Sequence, residues 1–207
     1  MNTVLRALLP IVLLVGLLVL TTPAWAHSPI MGIGGVFGGM LHALLIPEHG
    51  LSLLALGIAL GLERPAASRS GMLIFVAALV AGLAVTAFIA EPALAADVLL
   101  AATGVLGLLI AAAWVPPVVA WPLAAIAGVA FALDSRPEVT ATDEIIRMLI
   151  GTGIGAAIAL AIVAVGSTFL QGNVSRIVLR VLGSWVAAIA ILDLSLRIAT
   201  RLATGGS

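Results

Sequence analysis

The chain has 207 residues, 63% of them hydrophobic and only 9% charged, where an ordinary soluble domain carries about 25% charged residues. Nine arginines balance nine acids and lysine is absent, so no basic patch points to nucleic acid. Cysteine is absent too, which excludes disulfides, thiolate metal sites and thiol nucleophiles. The composition is that of an all-α integral membrane protein whose main solvent is the lipid bilayer.

The first predicted element is a signal peptide over residues 1–26. Arg6 supplies the positive start, Leu8 to Leu20 the apolar stretch, and Pro23 a helix break. Ala24-Trp25-Ala26 then fits a small-x-small cleavage site. Cleavage there makes His27 the first mature residue, on the periplasmic side of a bacterial inner membrane. Residues 27–207 read as a single transmembrane domain of six spans. The pattern predicts spans at about Gly32–Leu62, Gly71–Ala90, Leu94–Val115, Val118–Leu133, Ile145–Leu170 and Ile177–Ala199, each near the ~20 residues a crossing needs. The connections are "ERPAASRS", Glu91-Pro92, the Pro116-Pro117 turn, "DSRPEVTATDE" and "QGNVSR".

With the N-terminus outside, Arg64, Arg69, Arg176 and Arg180 fall in cytoplasmic connections, as the positive-inside rule prefers. Arg136, Arg147, Arg197 and Arg201 fall outside, so the arginines alone are balanced and the signal peptide sets the orientation. Trp114 and Trp121 flank the double-proline turn as interfacial anchors. Glycine pairs four residues apart, Gly34/Gly38, Gly35/Gly39, Gly57/Gly61 and Gly151/Gly155, allow close helix approach. Nothing in the sequence sets an oligomeric state.

The first span holds two of the three histidines and a glutamate in "GGMLHALLIPEHGLSLLALG". At ~1.5 Å per residue its length exceeds the roughly 30 Å hydrocarbon core, so it must tilt, bend or begin outside. Pro47 predicts a bend, because it lacks an N–H and clashes with the carbonyl of Ala43. His42 and His49 would lie ~10.5 Å apart along a straight helix, too far to share an ion. Broken at Pro47, the span can offer one site. Ionisable residues inside a membrane point to function, which makes His42, Glu48 and His49 candidate ligands of a metal ion. The other reading has the three residues satisfying one another and the backbone freed at the kink.

"HALLIPEHGLSLLALG" resembles the first-helix signature of the HupE/UreJ family, membrane accessory proteins of hydrogenase and urease operons. That signature runs H-P-x-x-G-x-D-H-x-L-A-M after a glycine-rich run. His42 and His49 match its histidines, Glu48 stands at its aspartate, and "GIGGVFGG" matches the glycines. The chain departs from it at Ala43, where the family has proline, at Ile46, where it has glycine, and at Pro47. A second family motif, H-G-x-A-H-G near the end of the fourth span, is replaced by "AFALDSRPE", where Asp134 or Glu138 stands as an oxygen ligand. The resemblance implies six spans and nickel uptake, hence Ni2+ as substrate or ligand.

His27, once freed, adds an amine and an imidazole able to chelate Cu2+ or Ni2+. Asp193 and Arg197 are spaced for a pair within one helix. Thr86, Thr103 and Thr152 suit bonds to backbone, and the methionines are scattered as in packing. No nucleotide-binding loop or Ser-His-Asp arrangement is present. The expected function is therefore not enzymatic: transition-metal binding and permeation, downhill or coupled to protons. The alternative is a scaffold or assembly factor that serves metalloenzyme maturation proteins. A membrane metalloenzyme is the third possibility.

Overall fold

In the computed structural model, residues 34–89, 92–170 and 172–204 are described, and the signal-peptide and His27 expectations lie outside them. Seven helices follow in order: α1 (Gly35–Leu45), α2 (Pro47–Gly61), α3 (Pro65–Thr86), α4 (Ala95–Ala111), α5 (Pro117–Leu133), α6 (Thr142–Thr168) and α7 (Asn173–Thr204). Among the described residues there is no strand.

Three helices begin at a proline that follows an extended residue: Ile46 before Pro47, Arg64 before Pro65, and Pro116 before Pro117. The proline ring pushes the preceding residue out of the helical region, and its fixed φ suits the first helical position. Helix α3 therefore starts at Pro65, six residues ahead of the expected Gly71. Helix α6 starts at Thr142 rather than Ile145, with Asp143 and Glu144 in its first turn, where acids complement the helix dipole. The double-proline turn opens from a Schellman cap at the end of α4. There the Ala113 N–H donates to the Ile110 carbonyl (2.9 Å) and the Trp114 N–H to the Leu109 carbonyl (3.0 Å). Ala113 takes the left-handed conformation, φ 56°, where glycine is usual.

Helices α3, α6 and α7 are long and apolar enough to cross a membrane. Helices α1 and α2 pass the same test as one span bent by 74°. Helices α4 and α5 are apolar but shorter, 17 residues each.

Helix α2 is the axis of the bundle. Ten of its fifteen residues are buried, and it touches all six other helices. A helix apolar all round suits that central place. The pair α1 and α2 runs along α6, α3 lies on α5, and α4 lies on α7. Small residues line these seams. A side chain on Gly39 would strike the backbone of Met148, and one on Gly151 the carbonyl of Val36. Gly107 and Gly183 face each other's helices less tightly, but still too closely for a side chain. Close backbone approach is the main route to helix association where lipid competes for apolar surface. Three threonines donate to backbone as their sequence setting predicts: Thr86 to Gly82 and Ala132, Thr103 to Leu99, and Thr152 to Gly39 across the α1–α6 seam.

Two stability changes follow. Ala113→Gly removes a left-handed alanine that costs about 1–2 kcal/mol against a smaller entropic cost of glycine. It should therefore stabilise the protein by about 0.5 kcal/mol. Gly39→Ala should destabilise by about 1–3 kcal/mol through overpacking, while Gly166→Ala, which meets open space, should be tolerated. Thermal melting in detergent reads all three, and a Gly39→Ala protein as stable as the parent would contradict the seam.

Candidate functional site

The site grows from the break between α1 and α2. Ile46 is extended (φ −76°, ψ 119°), and it both ends α1 and caps α2. His42 lies in the last turn of α1 and His49 in the first turn of α2. The bend replaces a ~10.5 Å stagger along one axis with rings 6.1 Å apart, edge to face.

His49 is fully buried. Its ring stacks on Phe131 at 4.0 Å and 27°, and Phe131 in turn meets Phe75 edge-on at 6.3 Å. Its Nε2 lies 3.0 Å from Oδ2 of Asp134, the residue that caps the C-terminus of α5. A carboxylate only accepts hydrogen bonds, so in the tautomer that donates Nε2–H to Asp134 a lone pair is left on Nδ1. That Nδ1, Nε2 of His42 and the Ser52 hydroxyl are buried without a hydrogen-bond partner. Besides His49, the charged groups that His42 feels are Asp134 and Glu138.

The Asp134 segment is held firmly. Ser135 is buried and donates to the Phe131 carbonyl at 2.6 Å. The Arg136 guanidinium donates to the carbonyls of Thr86 and Ile89, which ties the end of α3 to the end of α5. These carbonyls lie at and just past the end of α3, where backbone acceptors are open to side chains, and the arginine that binds them stands two positions from Asp134.

Glu48 takes a different direction. Its Oε1 accepts from Nη2 of Arg197 at 2.7 Å, and Arg197 also reaches Asp193 at 3.4 Å. The expected pair within α7 is present, but its arginine sits closer to Glu48. One turn on, Arg201 pairs with Asp97 and donates to the Ala93 carbonyl. Of the six sequence candidates, His42, His49 and Asp134 are gathered, with Glu138 within electrostatic reach. Glu48 faces α7, and His27 lies outside the described residues. Among the described residues, no three His, Asp or Glu side chains form a group able to hold a metal ion. Phe131 and Arg197 carry no local sequence signal for these roles, because their partners lie far along the chain.

A helical membrane protein whose bent span brings a half-buried and a buried histidine together is the class that fold and site define. The chain belongs to the HupE / UreJ family, whose model matches residues 15–192. This is a family of membrane accessory and transport proteins linked to nickel and cobalt handling. No curated protein and no solved structure gives a significant match to the chain.

His49→Ala should cost about 1–3 kcal/mol, because it leaves the Asp134 oxygen buried without its partner and removes the stack on Phe131. Glu48→Gln should cost less, since Arg197 keeps Asp193 and a neutral acceptor. Denaturation of the two variants in the same detergent checks the order, and a reversed order would show that the Glu48 contact matters more than the Asp134 one.

Proposed function

We propose that this protein is a bacterial inner-membrane permease for a divalent transition metal, nickel in the first place. His42 and His49 take the ion in transit. The observation that carries the reading is the pair of partnerless buried imidazole nitrogens, His42 Nε2 and His49 Nδ1, on rings 6.1 Å apart. An imidazole nitrogen sits ~2 Å from a bound ion, so to share one ion the rings turn from their edge-to-face packing until both free nitrogens aim at it. Asp134 supports this use of His49 in the way carboxylates orient ligating histidines: it holds Nε2–H and directs Nδ1 to the cargo. Glu138 adds negative charge nearby, and His27 is a collecting ligand at the outer mouth.

Two imidazoles are a weak, open ligand set, and conduction requires binding weak enough to release. Movement without a nucleotide site is downhill or coupled to protons. In this reading the chain crosses six times. The bent pair makes the first crossing and the 17-residue helices α4 and α5 count as spans at the short end of the ~17–25 range. The mature N-terminus is periplasmic. The partners are the bilayer, the metal ion and metalloenzyme maturation proteins that receive it.

A second reading is favoured by one observation, the closure of Glu48 on Arg197. If the polar residues of the break are all structural, the protein is a membrane scaffold for metalloenzyme assembly with no transport of its own.

Melting with and without Ni2+ or Co2+ separates the two. A metal that binds only the folded protein adds about 2.7 kcal/mol at a hundredfold excess over Kd. In the permease reading the parent gains that stabilisation and His42→Ala loses it while staying folded. Proteoliposomes of the parent take up radioactive nickel and those of His42→Ala do not. Indifference of the parent to both metals would leave the scaffold.

A further inference from the structure

At the opposite end of α2 from His49, the connection into α3 and the α4–α5 turn border an open cavity of about 640 Å³. Its walls include Glu63, Arg64, Ser70, Val115 and Trp121. Glu63 follows directly on the C-cap residue of α2, about 21 Å along the helix from His49 at ~1.5 Å per residue.

Glu63 stands between two helix dipoles: it follows the C-cap of α2, whose end disfavours a carboxylate, and precedes Arg64, the N-cap of α3, whose end favours one. Both Glu63 oxygens are shielded from solvent, and the polar side chain that reaches them is the Trp121 indole. Among the described residues Glu63 makes no ion pair, although Arg64 is its neighbour in the chain and in the cavity wall. The other described acids divide differently: Glu48, Asp97, Asp134, Asp143 and Asp193 each have a basic partner. The group facing Glu63 from α5 is Trp121, whose N–H is given to the Ala67 carbonyl at 3.2 Å. The α4–α5 turn presents Val115 and Pro117, which do not titrate. Burial pushes the Glu63 carboxyl above its ordinary range, and the Trp121 indole pulls it back in part.

A shielded acid with no basic partner among the described residues is a candidate for function. We infer that Glu63 is a proton-exchanging carboxylate at the inner mouth of the path. It takes a proton from the cytoplasmic side when neutral and attracts the outgoing divalent cation when ionised. This inference rests on the permease reading and assigns its inner end.

The test uses the full chain in proteoliposomes with pH set separately on the two faces and radioactive Ni2+ as the probe. Uptake by the parent should depend on pH at the face that carries residues 62–70. Glu63→Gln should slow uptake and remove the dependence on that face alone. Glu63→Asp should restore both in part. The Gln variant should melt no lower than the parent and keep its Ni2+-dependent stabilisation, which reads the histidine pair. A Glu63→Gln protein with the parent's rate and pH profile would overturn the role of Glu63 and leave the histidine site standing. A parent that moves no nickel overturns both.

Discussion

The clash between the ring of Pro47 and the backbone of Ile46 holds Ile46 extended, and the arrangement around the histidines depends on it. With a helical residue at 46 the two imidazoles would sit two turns apart on one face, and Glu48 would point elsewhere. With an extended one, the chain turns by 74°, the rings meet, and the first turn of α2 is presented to α5 and α7. Asp134 and Arg197 then take His49 and Glu48 from opposite sides. Adjacent residues in sequence thus acquire unrelated surroundings: His49 is stacked, buried and paired with an acid, while Glu48 is drawn to an arginine near the end of the chain.

A break of this kind is tolerable only because the rest of the first span is gripped. Helix α1 has just eleven residues, and so short a helix has little stability of its own. Its glycines let it lie directly on the backbone of α6, and Thr152 of α6 donates to its Gly39 carbonyl. Helix α2 is enclosed by all the other helices. The seam with α6 therefore fixes both halves of the span on one partner, and the bend angle is set by that common support rather than by the proline alone.

Much of this was legible in the sequence because it is local. The break follows from Ile46-Pro47, the helices from apolar runs between proline and polar connections, and the seams from glycines four apart. The boundaries moved where capping chemistry outweighed hydropathy, as at Pro65 and Thr142, which begin helices inside stretches polar enough to read as loops. The site was legible in part. Two histidines seven apart around a proline mark a meeting point, and Asp134 stood out where a histidine motif would be. The direction of Glu48 was not legible, because Arg197 is 149 residues away and has its own acid one turn earlier in α7. Phe131 looked like any other apolar residue of its span, since stacking on His49 is a property of the folded neighbourhood and leaves no pattern along the helix.

The charges add a direction to the architecture. Glu48, Asp97, Asp134, Glu138, Asp143, Glu144 and Asp193 gather toward the end of the bundle where α1 begins, with Arg136, Arg147, Arg197 and Arg201 among them. The other end holds Arg64, Arg69, Arg176 and Arg180, with Glu63 the sole described acid. Exposed charges are felt over a Debye length of about 8 Å at physiological salt and buried ones further. A cation is therefore drawn to the first end and repelled at the second. Helix α2 joins the two, with a histidine held by Asp134 in its first turn and a lone carboxylate past its last. In the permease reading, a cation leaving along that helix meets these four arginines, and Glu63 is the one described acid among them.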